Sequence, residues 1–511
     1  MKKFISSYWP LLIIIAVKFI LQYTLVNPYY ELHRDEFLHL DQADHLAFGY
    51  ISVPPLTSLI SKMIFILGGG EFWVKFFPAL FGALTIVTAW LIIEDLGGRM
   101  WSKILVSLAL LFSVLVRLNL LFQPNSFDIL AWTLMYRFII RYIKDGNSRD
   151  LLWLAVVTAL GIYNKYNVVF LVSGLAAGLI LTSGRKIFTR SAVWKAAALC
   201  IILILPNIIW QVVHDFPVIN HMRVLKENQL DNNSIADFLT GQVRIFFGSV
   251  PLTISGIAAL LFYKPFRPYR FVGLSFLFVI ALFAFLKAKD YYSLGLYPVI
   301  FAFSGIYLEN VLRSKVKSVL ISTLIFLNAA GFAVMVPYVM PVMSPQQIRK
   351  NSDVFEKSGM LRWEDGKNHS LPQDFADMKG WKEMAAKALE AYRMIPADEV
   401  ENTLVFCDNY GQTGAVNYYN RGKMKEAYSF NTDYIYWLPH ITYIKNVILV
   451  GDMTEDRVAR MFREYNIIGT VENEYAREKG TGIFLFTGAD PEFTKFFYDE
   501  AERRKRELDI F

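Results

Sequence analysis

The chain has 511 residues, of which 54% are hydrophobic, 15% aromatic and only 19% charged, below the roughly one-quarter charged of soluble domains. The formal charge of +7 does not mark a nucleic-acid binder, because much of it falls in short loops between apolar runs, where it sets membrane orientation. The two cysteines, Cys200 and Cys407, give no support for a disulfide framework or a thiolate metal site.

Apolar runs long enough to cross a hydrocarbon core of about 30 Å recur from Leu11 to Val336 and stop after Pro341. Spans are predicted near residues 8–26, 74–93, 103–122, 127–143, 150–163, 166–183, 193–213, 239–262, 271–287, 292–309 and 316–338. The expected architecture is a polytopic α-helical membrane protein of about eleven spans over 1–340, followed by a soluble α/β domain over 341–511. No small-residue cleavage site follows the first run, so it reads as a retained span with Lys2 and Lys3 on the cytoplasmic side. Threading from there puts Arg99 and Lys103; Arg141, Lys144 and Arg149; Arg185, Lys186 and Arg190; Lys264, Arg267 and Arg270; and Arg313, Lys315 and Lys317 in cytoplasmic loops. All are basic, as the positive-inside rule requires. An odd span count then places the C-terminal domain outside the cytoplasm.

Three outer loops stand out. The first, from about Asn27 to Glu71, is too long for a turn and holds an acidic helical stretch, a Pro54-Pro55 break and an amphipathic piece over Leu56–Leu67. The second runs from His214 to about Asp237, and the third is Lys287-Ala-Lys289-Asp-Tyr291-Tyr292. In the tail, Leu404–Cys407, Val447–Val450 and Gly482–Phe486 read as strands, and Thr454–Tyr465 and Pro491–Leu508 as helices. The alternation predicts a small α/β layer structure.

The acidic stretch reads His33-Arg34-Asp35-Glu36-Phe-Leu-His39-Leu-Asp41. On a helix, Asp35 and Glu36 share a face with His39, so one carboxylate can take a proton from a substrate hydroxyl while the other positions a group. A solvated acidic helix and a His/Asp/Glu metal site are the alternatives. Within or beside the spans lie Arg117, Gln123, Asn125, Asp128, Lys165 and Lys289, ionisable or polar groups at membrane depth. Asp128 and Arg117 pairing with each other is the structural alternative. Lys165, Lys287, Lys289, Tyr291 and Tyr292 at outer turns suit a phosphate or act as interfacial anchors.

Taken in order, Arg34-Asp35-Glu36, Gly49-Tyr50, Pro54-Pro55-Leu56, Gln123-Pro-Asn125 with Asp128, Asn164-Lys165-Tyr166, Pro206-Asn207-Ile-Ile-Trp210-Gln211, Lys289-Asp-Tyr291-Tyr292 and Tyr297-Pro298 resemble the bacterial dolichyl-phosphate-mannose protein mannosyltransferase family. The resemblance covers about 5–340, and Cys407-Asp-Asn-Tyr-Gly-Gln412 with Tyr418-Tyr419 also looks like the soluble tail of some members. It implies a GT-C fold and inverting sugar transfer from a polyprenyl-phosphate donor to a lipid, glycan or protein acceptor at the extracytoplasmic face. It implies Asp35 as general base and Glu36 as a positioning group. Arg34, His39, Gln123, Asn125, Asp128, Lys165, Tyr166, Lys287, Lys289, Tyr291 and Tyr292 become candidates for binding substrate, with no cofactor and no obligatory divalent metal. Ser52-Val53 stands where many relatives carry a charged or polar residue before the Pro-Pro pair, and an arginine that some relatives place near Gln123-Pro-Asn125 is absent. A transporter or lipid flippase is the rival reading, although the paired repeats common in such proteins are not seen. A non-enzymatic assembly or receptor protein is the other.

Overall fold

The computed structural model describes residues 2–228 and 233–509. The middle of the expected His214–Asp237 loop, residues 229–232, lies outside the described residues, as do the side chains of Lys2 and Lys3. By contact, the chain divides into two units.

The first unit comprises Met1–Val26, Phe72–Trp210 and Val224–Val342 and is helical throughout. Each predicted span contains a helix, among them Lys2–Thr24, Glu71–Asp95, Asn125–Asp145, Ser148–Asn164, Ser191–Val213 and Ser314–Val339. Among the described residues, five helices are long and apolar enough to cross a membrane, and two further pairs pass that test as broken spans. Three expected spans are not continuous. The 103–122 run is a helix over Met100–Leu111 and a separate turn over Leu115–Leu118. The 166–183 run bends by 108° into a 3-10 helix over Ser183–Thr189, and the 239–262 run bends by 78° after Ile245. Apolar periodicity registers burial, not axis direction, so such breaks leave no mark on it. Helices approach closely where side chains are small: a Cβ on Gly178 would stand 2.3 Å from the Phe271 carbonyl oxygen. Close backbone approach of this kind is the usual basis of packing between apolar helices.

The second unit comprises Asn27–Glu71, Gln211–Arg223 and Met343–Phe511. Two outer loops that the sequence places with the membrane domain therefore cluster with the tail. Backbone and side-chain hydrogen bonds explain the first: Glu31 N–H donates to Met378 O, Arg34 N–H to Asp377 O, and the Tyr30 hydroxyl to Met343 O. The tail carries a five-stranded sheet of β1 (Thr403–Cys407), β2 (Ala427–Tyr428), β3 (Asn446–Gly451), β4 (Phe462–Thr470) and β5 (Gly482–Ala489). Its order is β2-β1-β3-β5-β4, with β2, β1 and β3 parallel and β5 antiparallel to β3 and β4. The Pro491–Asp509 helix, as expected, packs Phe493 and Phe497 on Leu404, Val447 and Phe486.

The predicted helix over Thr454–Tyr465 is corrected. Only Asp456–Ala459 is helical, and Phe462 onward is the edge strand β4. Met, Arg and Glu favour a helix locally, but Phe462 and Tyr465 pack on Phe486 of β5 at 5.0 and 5.4 Å between ring centroids. Cross-strand aromatic contact outweighs the local preference.

Candidate active site

In the loop-and-tail unit the acidic stretch folds as the expected helix, Arg34–Asp41. Its start is a capping box: His33 Nδ1 accepts from the Asp35 N–H at 3.2 Å, and Glu36 Oε2 accepts from the His33 N–H at 2.7 Å. Glu36 is thus fully buried and committed in part to holding the turn that presents Asp35. The Asp35 side chain keeps 39% of its surface exposed, and its Oδ1 accepts from the Tyr410 hydroxyl at 2.8 Å. Burial by itself would raise the Asp35 pKa, but His33, the Tyr410 hydroxyl and Arg34 outweigh it and hold the carboxyl below its ordinary range. The Arg34 guanidinium lies 4.3 Å from the centre of the Tyr410 ring. His39 is buried, and burial pushes its pKa down against the pull of Asp35 and Asp433, which favours the neutral ring.

Tyr410 reaches Asp35 because two helices come unusually close. It opens the Tyr410–Asn420 helix, which follows β1 and is capped by Asn409 and Gln412. A Cβ on Gly411 would stand 2.6 Å from Arg34 Cγ, and one on Gly414 would stand 2.8 Å from the Phe37 carbonyl carbon. Glycines three apart share a helix face, and here that face lies against the Arg34–Asp41 helix. Further along, Asp41 Oδ2 accepts from Asn417 Nδ2 and from the Tyr434 hydroxyl, both at 2.7 Å. Asp433 fixes the turn before Pro54-Pro55: Oδ1 accepts from the N–H of Ile51 at 2.6 Å and of Ser52 at 3.3 Å, and Oδ2 from the Ser52 hydroxyl at 2.6 Å. An acidic side chain from the tail thus lies against Ser52, ahead of the Pro-Pro pair.

Burial pushes Asp41 up from 3.8 to about 7. A raised folded-state pKa gives stability that is full below 3.8 and lost as pH rises through about 7. The thermal stability of the wild type should therefore fall from pH 5 to about 7, and Asp41→Asn should flatten that slope. An unchanged slope would show that Asp41 does not carry it.

In the helical unit, Lys165 ends the Ser148–Asn164 helix in extended conformation. Its Nζ donates to Asn125 Oδ1 at 2.9 Å and lies 4.1 Å from the Tyr292 ring centre and 5.4 Å from that of Tyr291. Asn125 Nδ2 donates to Gln123 Oε1 at 3.0 Å. Asn167 Nδ2 bridges Asp128 Oδ2 and the Tyr292 carbonyl, each at 2.9 Å. Asp128 is thus met by Asn167 rather than by Arg117. Gln123, Asn125, Asp128, Lys165, Tyr291 and Tyr292 therefore form one polar cluster. Tyr166 instead donates to Asn207 Oδ1 at 3.0 Å. Lys287 is exposed on a left-handed turn at φ 52°, and Lys289 caps the 3-10 helix over Asp290–Leu296. Sequence reasoning missed Tyr410, Asn167 and Asp433 as site-shaping groups. For Tyr410 the signal was present in Asn409-Tyr-Gly-Gln412, a capping pattern with glycines on one face.

Among the described residues, no three His, Cys, Asp or Glu side chains are grouped to hold a metal ion. His33, one of the candidate ligands, is used as a helix cap.

Residues 52–210 match the model of the dolichyl-phosphate-mannose-protein mannosyltransferase family. The fold is similar to that of ArnT from Cupriavidus metallidurans in the apo state, at 12% identity over 94% of this chain and 98% of that one, with a TM-score of 0.62. ArnT bound to undecaprenyl phosphate gives 12% identity, the same coverage and a TM-score of 0.59. An Archaeoglobus fulgidus oligosaccharyltransferase tethered with an acceptor peptide gives 10% identity over 81% of this chain and 63% of that one, at a TM-score of 0.46. No curated protein matches the sequence. The fold is of the GT-C type, mostly helical with a small C-terminal sheet domain.

Proposed function

We propose that this protein transfers a sugar from a polyprenyl-phosphate donor to a hydroxyl of an envelope lipid, glycan or protein, with inversion, on the extracytoplasmic side of the bacterial inner membrane. Asp35 takes the proton from the acceptor hydroxyl as that oxygen attacks the anomeric carbon and the lipid phosphate leaves. Tyr410 orients and stabilises the Asp35 carboxylate, and Glu36 positions it through the helix cap. Lys165 meets the charge that grows on the departing phosphate, aided by Asn125 and the aromatic groups of Tyr291 and Tyr292. Because a lysine supplies that charge, the reading needs no obligatory divalent ion.

The Lys165 cluster carries this reading: a cation that, with Asn125, lies inside the segment matching the mannosyltransferase family and is flanked by the tyrosine rings of the 291–292 turn. The ArnT structure with undecaprenyl phosphate supports a polyprenyl donor at the level of fold. The test is Lys165→Gln in purified enzyme. Donor binding should weaken about tenfold or more, through loss of a charge-assisted contact, with acceptor binding little changed. Unaltered donor affinity would reduce Lys165 to an anchor and remove the phosphate assignment.

A further inference from the structure

An open cleft of about 520 Å³ lies within the helical unit, between the turn after the Asn125–Asp145 helix and the 3-10 helix over Ser183–Thr189. It is remote from Lys165. The Asn125–Asp145 helix has 21 residues, so its Asn125 end and its cleft end stand about 30 Å apart. The cleft is lined by Lys186, Arg190 and the hydroxyl residues Ser148, Ser183 and Ser191, and no carboxylate lines it. Among the described residues no hydrogen bond or ion pair engages the Lys186 or Arg190 side chain. Cations nearby on the Asn125–Asp145 helix are already occupied: Arg137 pairs with Asp95, Arg141 with Asp150, and Lys144 donates to the Asp95 carbonyl. Asp95 and Asp150 are thus engaged away from the cleft; Asp145, beside Gly146, is exposed and does not line it.

Two helix starts add to this. Ser148 opens a helix of 17 residues and Ser191 one of 23, and each brings the partial positive charge of its first turn to the cleft. Trp194 is 62% exposed on the second of these and donates from its indole N–H to the Phe188 carbonyl. An exposed Trp beside basic residues is the composition of a membrane interface. We infer that this cleft binds a phosphate group, held by Lys186 and Arg190 as charge-assisted donors and by the serine hydroxyls. The phosphate comes either from an anionic phospholipid headgroup or from a soluble phosphate. The inference does not depend on the catalytic reading, because no residue is shared.

The full-length protein is to be purified, reconstituted in phosphatidylcholine nanodiscs with and without phosphatidylglycerol, and separately titrated with inorganic phosphate. Retention of phosphatidylglycerol is read by native mass spectrometry and phosphate binding by calorimetry. The variant Lys186→Gln/Arg190→Gln should bind about thirtyfold more weakly in whichever arm the wild type binds. The variant Arg149→Gln/Arg185→Gln removes the same charge from exposed positions that do not line the cleft, and it should bind as the wild type does. Loss in the lipid arm assigns the site to a headgroup, and loss in the phosphate arm to a soluble ligand. Equal loss in both double variants would show surface charge alone and overturn the site, as would binding unchanged by Lys186→Gln/Arg190→Gln or absent from the wild type.

Discussion

Asp35→Asn should lower the turnover of sugar transfer about a thousandfold while leaving expression and folding intact. The amide keeps the size of the carboxylate and can still accept from Tyr410, but it cannot take the proton of an acceptor hydroxyl. Its half-exposed position makes a folding defect a small concern. Tyr410→Phe separates positioning from proton transfer. Loss of the hydroxyl removes one of the interactions that hold the Asp35 pKa down. The base works only when ionised, so activity falls as pH drops through its pKa. In Tyr410→Phe that acid limb should move to higher pH, with kcat about tenfold lower and KM little changed. A dead Asp35→Asn with a wild-type pH profile in Tyr410→Phe would make Tyr410 merely structural. Full activity in Asp35→Asn would remove the base assignment whatever Tyr410 does.

Gly414→Val should strongly destabilise the loop-and-tail unit. Even a single Cβ there would meet the Phe37 carbonyl carbon at 2.8 Å and oxygen at 3.0 Å, and a helix backbone cannot yield as a flexible side chain does. Overpacking of this kind costs about 1–3 kcal/mol, and the β-branched side chain adds further clash. Limited proteolysis should show the Asn27–Glu71 loop cut faster than in the wild type. Because the same two helices bring Tyr410 to Asp35, activity should fall with it. Gly422→Ala, by contrast, meets no atom within 4 Å, although its φ of +72° carries a modest strain. Equal protection of the loop in Gly414→Val and wild type would show that close helix approach does not hold it.

Most of the chain's organisation was legible because the physical signal is strong and local. Apolar runs of span length report burial in lipid, and loop lysines and arginines give the expected orientation. The acidic helix was legible too, since Asp35 and Glu36 stand at helical spacing from His39. What failed were features whose cause lies elsewhere in the chain. The segment after Thr454 looked helical, yet Phe462 and Tyr465 find Phe486 and complete a sheet edge. The run over 239–262 looked like one straight span, yet it bends by 78°.

The sequence by itself determined that this is a multi-span protein with a soluble tail, and it drew attention to Asp35 and Lys165. Those conclusions rest on patterns read within a few helical turns. Only the tertiary structure decided what those residues touch. Tyr410 lies 375 positions from Asp35, and Asp433 lies 382 from Ile51. Contacts at such separation depend on how two helices and a turn pack together, and no local periodicity encodes them. That packing made the tail, unassigned from its sequence, a partner of the acidic loop.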